Sequence, residues 1–359
     1  MPALALVLAA AAALPRVAEL RVPAGYALDT QTPVVRANER GDVAAAAHKP
    51  GSASDAIIVW YAGGTTRVLP APPIARGDLT AALKLGAVGP DGEIYAAIVR
   101  TTEGARMVQS EEDVVYRGAT ATAFAPNCTR GSALPAFANA DGALGLTFLA
   151  DPNDVSPDNL QDGSYAPYAA LVRGSRCIDL GRAYVTAQRG EYLGGYRGYL
   201  SATSHVLGPS SVNTGSEYYV AVRWFDLVAS ELGPGVVFDV ASDGTCVGAD
   251  ALPGAAPATH ATVWDAAGHA HRVLAGDASS VAYAVDDGGR VAGTFVDATT
   301  KRRYAFVATG TDVRRLDDLV ADPRWRFEYA YRFLADGRIA GTGTHDGVPA
   351  IFVASLAAP

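Results

Sequence analysis

The chain has 359 residues, 49% of them hydrophobic and only 18% charged, with a formal net charge of -8. So much apolar material against so little charge excludes a disordered chain. It carries no basic stripe with interleaved aromatics, which disfavours nucleic acid and anionic membranes as partners, since phosphate contacts need clustered Lys and Arg.

The first element is apolar. Ala3 to Leu14 is an unbroken run of twelve apolar residues followed by small ones. It is too short for a bilayer, which needs roughly 20 residues, and fits the h-region of a secretory signal, although no Lys or Arg precedes it. A first strand is the other reading. The expected division is a signal over 1–18 and a single domain over 19–359, with no membrane span and a secreted, periplasmic or cell-surface location.

From there the chain repeats itself. NERGDVAAAA (38–47), GPDGEIYAA (89–97) and NADGALGL (139–146) each place a tight glycine turn before an apolar alternating run. The pattern is clearest in three C-terminal units beginning at Val236, Ser279 and Glu328: an alternating run, an Asp-Gly or Gly-Gly turn, then x-x-x-Gly, a loop, and an apolar strand carrying Trp264, Phe306 or Phe352. Glycine supplies the positive φ that a tight hairpin demands, and alternation gives each strand two distinct faces. Gly248, Gly293 and Gly341 recur inside a strand, where glycine is disfavoured unless backbone approaches closely. A worn copy, ATSHVLG (202–208), puts His205 at the turn position. The turns then fall at Gly41, Gly92, Gly142, His205, Gly244, Gly289 and Gly337, at intervals of 51, 50, 63, 39, 45 and 48.

A period of about 40–50 residues with four strands per unit predicts an all-β fold, a single β-propeller of about seven four-stranded blades. Six blades plus an irregular segment is the alternative. Within a blade the 1→2 and 3→4 turns share one end of the ring, and the 2→3 and 4→1 connections share the other. The second end, expected to carry the long irregular connections, is the expected binding end.

Two segments of the middle third stand out. ADPNDVSPDNLQDGSYAPY (150–168) reads as an expanded 2→3 loop whose Asp151, Asp154 and Asp158 offer carboxylate oxygens for calcium, although it fails the EF-hand pattern; no other cofactor is expected. TAQRGEYLGGYRGYL (186–200) reads as the following 4→1 connection, with Arg189, Tyr192, Tyr196 and Arg197 as ligand-binding candidates. Eight of the sixteen tyrosines lie between 165 and 219, and Tyr and Arg together suit sugars, peptides or anions. His345 and Asp346 join them from the last 2→3 loop, since a His-Asp pair can act as a base.

Other features have structural readings. His260, His269 and His271 lie on consecutive strands and would share a face, where three imidazoles could ligate zinc. The alternation of Trp325, Phe327, Tyr329, Tyr331 and Phe333 is that of a face packed between blades. Cys128 and Cys177 bracket one repeat and suit a disulfide in an exported protein, whereas Cys246 alternates with apolar residues as a small buried hydrophobe.

ASDGTCVG with THATVW, DDGGRVAG with RYAFVA, and ADGRIAGTG with PAIFVA resemble the bacterial HAF-type extracellular repeat. Its units run approximately A-x-x-I-N-x-x-G-x-[IV]-[VA]-G before a His-Ala-Phe-Leu-Trp-like strand. The match is best over 236–353, and Asn38 and Asn139 keep the Asn before the turn that the other copies have lost. The resemblance implies a secreted or surface-exposed repeat protein and carries over no catalytic residue. The expected function is a non-enzymatic binding module for a glycan, peptide or surface partner, with a polysaccharide hydrolase or lyase as the alternative. No G-x-S-x-G, Walker, H-E-x-x-H or dinucleotide-binding motif is present, which weakens the enzyme reading.

Overall fold

The computed structural model describes residues 17–28, 35–50, 55–70, 73, 78–102, 108–126, 133–139, 142–149, 167–174, 176–181, 184–191, 197–207, 217–225, 228–250, 258–274 and 279–356. Their strands form seven antiparallel sheets, taken in order along the chain. Each contributes strands A to D. Strand A of blade 1 is in two pieces, Ala27–Leu28 and Val35–Ala37, both paired with B (Val43–His48); C and D are Asp55–Trp60 and Thr66–Leu69. Blade 2 comprises Asp78–Val88, Ile94–Thr102, Val108–Arg117 and Thr120–Ala123. Blade 3 comprises Ala133–Ala138, Leu144–Leu149, Pro167–Arg173 and Arg176–Gly181. Blade 4 comprises Tyr184–Glu191, Arg197–Leu207, Glu217–Phe225 and Val228–Pro234. Blade 5 comprises Val236–Val240, Cys246–Ala249, Ala261–Trp264 and Ala270–Arg272. Blade 6 comprises Ser279–Val285, Arg290–Val296, Arg303–Thr309 and Asp312–Arg315. Blade 7 takes A, B and C from Trp325–Phe333, Ile339–His345 and Val348–Ala354, and its D strand from the start of the chain, Val17–Leu20.

The A strands of neighbouring blades contact one another from blade 1 round to blade 7, and blade 7 contacts blade 1. The ring is closed by Val17–Leu20 pairing with Val348–Ala354, with Val17 opposite Ala354 and Leu20 opposite Ile351. A four-stranded sheet alone cannot bury both faces, so the blades stack and closure covers the last. The core lies between blades: Ile57, Val59, Leu83, Leu85, Ile94 and Val114 bury one seam between blades 1 and 2.

The glycine turns hold a specific geometry. Gly41, Gly142, Gly244, Gly289 and Gly337 have φ between 76° and 93°. Each donates its N–H to the carbonyl three residues back, as Gly142 does to Asn139 at 3.0 Å, while the residue at that start position bonds to the one four further on. These are three-residue hairpins, a type I turn followed by a left-handed glycine, rather than two-residue turns. Asn38, Asn139 and Asp286 reinforce them, each Oδ1 accepting the N–H four residues on at 2.9, 2.7 and 2.8 Å.

Gly248, Gly293 and Gly341 do mark close backbone approach. A Cβ there would lie 1.8 Å from the Val236 carbonyl oxygen, 2.0 Å from that of Val281, and 2.0 Å from that of Tyr329. Each sits in strand B opposite a bulge in strand A, at Phe238, Tyr283 and Tyr331. In blades 6 and 7 the next strand lays an aromatic ring over the same glycine, since Phe306 pairs with Gly293 and Phe352 with Gly341.

Three sequence expectations change. His205 is not a turn: it lies within strand B of blade 4, opposite Tyr219. Strands A and B of that blade pair directly, Tyr184–Glu191 with Arg197–Leu207, so the A–B connection lies ahead of His205 in the chain. TAQRGEYLGGYRGYL is therefore an A–B hairpin, not a 4→1 connection, with Glu191 opposite Arg197. The aromatic alternation of Trp325–Phe333 does not produce one face either. Bulges after Phe327 and Ala330 shift the phase, so Trp325, Phe327 and Phe333 are buried while Tyr329 and Tyr331 are half-buried.

Cys177 is disulfide-bonded and Cys246 is free and buried, its thiol pushed up to about 12 by burial. Cys128 lies outside the described residues.

Candidate functional site

The A strands form the inner edge of the ring, and their bulges recur in register. Gly86, Ala136, Phe238, Tyr283 and Tyr331 each stand six residues before a turn glycine and out of ladder register. Three consecutive blades place an aromatic residue there. The Tyr283 ring lies 5.2 Å from Phe238 on one side and 5.2 Å from Tyr331 on the other. Tyr329 stacks on Tyr331 at 5.4 Å, and the Arg303 guanidinium covers Tyr329 at 4.6 Å.

Blade 1 closes this wall with a cation. Arg36 donates from Nε to the Gly86 carbonyl of blade 2 at 3.0 Å. Its side chain is exposed yet crowded by protein, which lowers its pKa, with Tyr331 acting in the opposite sense. An arginine in this setting stays charged. Desolvation raises the pKa of Tyr283 and of Tyr331, so both are neutral phenols. The wall thus offers aromatic faces, hydroxyls and the positive charges of Arg36 and Arg303.

A second feature lies between blades 1 and 2, at the end bearing the A–B and C–D turns. It is a groove of about 440 Å³ lined by Tyr61 and Arg67 of blade 1 and by Asp91, Glu93 and Arg117 of blade 2.

The residues singled out from sequence are placed unevenly. Arg189 and Arg197 belong to strands A and B of blade 4 and flank its hairpin, Arg189 opposite Tyr199. This puts them at the end opposite the one expected. Tyr192 and Tyr196, and Asp151, Asp154 and Asp158, lie outside the described residues. His345 ends strand B of blade 7, stacked on Trp325 at 4.6 Å, with Nδ1 3.0 Å from Glu19 Oε2 on the closing strand. Its Nε2 is enclosed, 3.8 Å from Asp346 Oδ2. Asp346 occupies a left-handed turn position, φ 50°. His269 and His271 both turn to the Asp265 carboxylate, at 3.3 and 3.4 Å, while Asp250 receives the His260 N–H. Among the described residues no group of three or more His, Cys, Asp or Glu is arranged to hold a metal ion. Neither the axial wall nor the groove was visible as a motif, because each gathers residues from several blades. The one usable signal was the register, six residues before the turn glycine in blades 2, 3, 5, 6 and 7.

No family model and no curated protein matches the chain. Among solved structures it is similar to the β-propeller domain of the Trilobed protease from Pyrococcus furiosus, at 11% identity and a TM-score of 0.53, over 93% of this chain and 98% of that one. It is also similar to an acylaminoacyl peptidase from Pyrococcus horikoshii, at 13% identity and a TM-score of 0.50, over 92% of this chain and 53% of that one. This chain spans about half the length of that peptidase. At such identities the likeness is one of fold, and the class is defined: an all-β propeller. The first of these is described as having an open velcro topology, whereas here strand D of blade 7 closes the ring. Among the described residues no helix is long and apolar enough to cross a membrane.

Proposed function

We propose that this propeller is exported and acts as a non-enzymatic binding module for a carbohydrate, held against the axial wall. The observation that carries this reading is the in-register run of Phe238, Tyr283 and Tyr331 on three adjacent blades, facing Arg36. Aromatic faces stack on the apolar face of a sugar ring, and phenol hydroxyls with a guanidinium satisfy its oxygens. Export rests on the apolar N-terminal run, the disulfide at Cys177 and the resemblance to HAF-type repeats. The test is a glycan array with the full chain, followed by Tyr283→Ala and Tyr331→Ala. Loss of at least tenfold in affinity with retained β-sheet circular dichroism supports the reading. Release of reducing ends from a polysaccharide panel by the wild-type protein replaces it with the hydrolase or lyase reading.

A further inference from the structure

We propose that the groove between blades 1 and 2 is a separate site for a carboxylate-bearing sugar, a uronate residue. The proposal does not rest on the axial wall. The groove's volume of about 440 Å³ falls in the range of small-molecule sites, roughly 300–1,000 Å³. Its chemistry is more selective than its size.

Two guanidiniums meet there. Arg67 lies against the half-buried Tyr61 ring, 5.9 Å from its centroid, and Arg117 ends strand C of the next blade. Among the described residues neither has a carboxylate within salt-bridge distance, whereas the adjacent Arg40 is bound to Asp42 at 2.6 Å. Two turn glycines border these side chains. A Cβ on Gly118 would stand 2.8 Å from Arg67 Nη1, and one on Gly92 would stand 2.9 Å from Arg40 Nη2 and 3.0 Å from Tyr61. Gly118 itself is fixed by its left-handed φ of 65°, and its missing Cβ leaves room for the Arg67 guanidinium.

The acids narrow the ligand class. Asp91 and Glu93 share the lining, and Glu93 Oε2 accepts the Asp91 N–H at 3.0 Å. A sulfate, acceptor-only and doubly charged, meets two carboxylates and is repelled, while a phosphate, although its P–OH can donate, brings no ring face for Tyr61. A neutral sugar leaves the guanidiniums without a counter-charge. A uronate matches all three parts: its carboxylate faces the arginines, its hydroxyls donate to Asp91 and Glu93, and its ring face lies on Tyr61.

The experiment titrates galacturonate, glucuronate, glucose and inorganic phosphate into the full chain, read by saturation-transfer NMR and calorimetry. The uronates should bind at least tenfold more tightly than glucose, with affinity falling as salt rises, and phosphate should not compete. Arg67→Gln and Arg117→Gln should each weaken uronate binding at least tenfold with the melting temperature unchanged. Should either fail to fold, Arg117→Lys keeps the charge without the forked geometry and should bind with intermediate affinity. Equal affinity for glucose and uronate, competition by phosphate, or binding indifferent to both arginine substitutions would overturn the proposal. Uronate binding should survive Tyr283→Ala, so failure here and failure at the axial wall read out separately.

Discussion

Arg332 on strand A of blade 7 reaches Asp239 on strand A of blade 5 at 3.4 Å, passing strand A of the blade between them. Asp239 is 1% exposed and accepts the Val285 N–H of that intervening strand at 3.1 Å. One carboxylate thus ties three blades together at the inner edge of the ring. Asp239→Ala removes the acceptor of the Val240 and Val285 N–H groups and the carboxylate beside the Arg332 guanidinium, and should cost about 2–4 kcal/mol, measured as a lowered urea midpoint. Arg332→Met should cost less, because two backbone N–H groups still bind the carboxylate.

Gly293→Ala tests the pairing of bulge and glycine. The new Cβ would overlap the Val281 carbonyl and press on the Phe306 ring, 2.9 Å away. Neither backbone nor a fully buried ring can retreat, so a loss of at least about 2 kcal/mol is expected. Gly289→Ala, with nothing within 4 Å but φ at 76°, should cost about 1 kcal/mol through backbone strain alone. Equal costs in denaturant titrations would show that close approach is not what selects glycine at 293.

The closing strand constrains where an export signal can be removed. Val17 and Ala18 pair with Ala354 and Val353, and the Arg21 carbonyl accepts Trp60 Nε1–H at 3.0 Å. A cut after residue 18 would remove half of the four pairs. On the export proposed above, N-terminal sequencing of the mature protein should therefore find cleavage at or before residue 16. Deleting residues 1–22 should lower the melting temperature and promote association, since it bares the Val348–Ala354 edge.

Two aspartates should respond to pH in opposite directions. Burial pushes the Asp317 carboxyl up, against a hydrogen bond from the Phe327 N–H, and its Oδ2 is enclosed without a partner. Ionising it costs more in the fold than in the unfolded chain, a penalty absent below the unfolded pKa and complete above the folded one. Asp317→Asn should be more stable than wild type at pH 7, with the gap closing as pH falls through the raised folded pKa towards 3.8 and staying closed below it. Asp265 is held down to about 2 by the His269 N–H and then by the two imidazoles. Asp265→Ala should lose stability at neutral pH and rejoin wild type as pH falls from 3.8 towards 2. Thermal melts across that range read both.

How much of this was legible follows from which rule each residue obeys. Gly244, Gly289 and Gly337 announce themselves because a left-handed turn excludes most other residues, and the alternation around them fixes the strands. The fourth blade hid because YLGGY carries no Asp-Gly signature, while ATSHVLG mimics the turn by composition alone. The misplaced turn displaced Arg189 and Arg197 to the wrong end. Bulges defeat period-two reasoning: Tyr329 and Tyr331 continue the alternation of Phe327 in sequence but leave its face in space. The groove was invisible because Tyr61, Arg67 and Arg117 meet only once two blades are stacked.

Val17 and Ala354, paired in the closing strand, lie 337 positions apart. Loop-closure entropy grows only logarithmically with length, so the equilibrium penalty is modest. The delay is not, since long-range pairing is what slows folding most. In a chain that leaves the ribosome or an export pore amino end first, Val17–Leu20 emerges before any blade and must wait unpaired until the seventh is complete. Until the two ends meet, blade 7 presents an apolar edge to every other copy nearby. Crowding during synthesis is therefore a hazard that ends when the ring is shut.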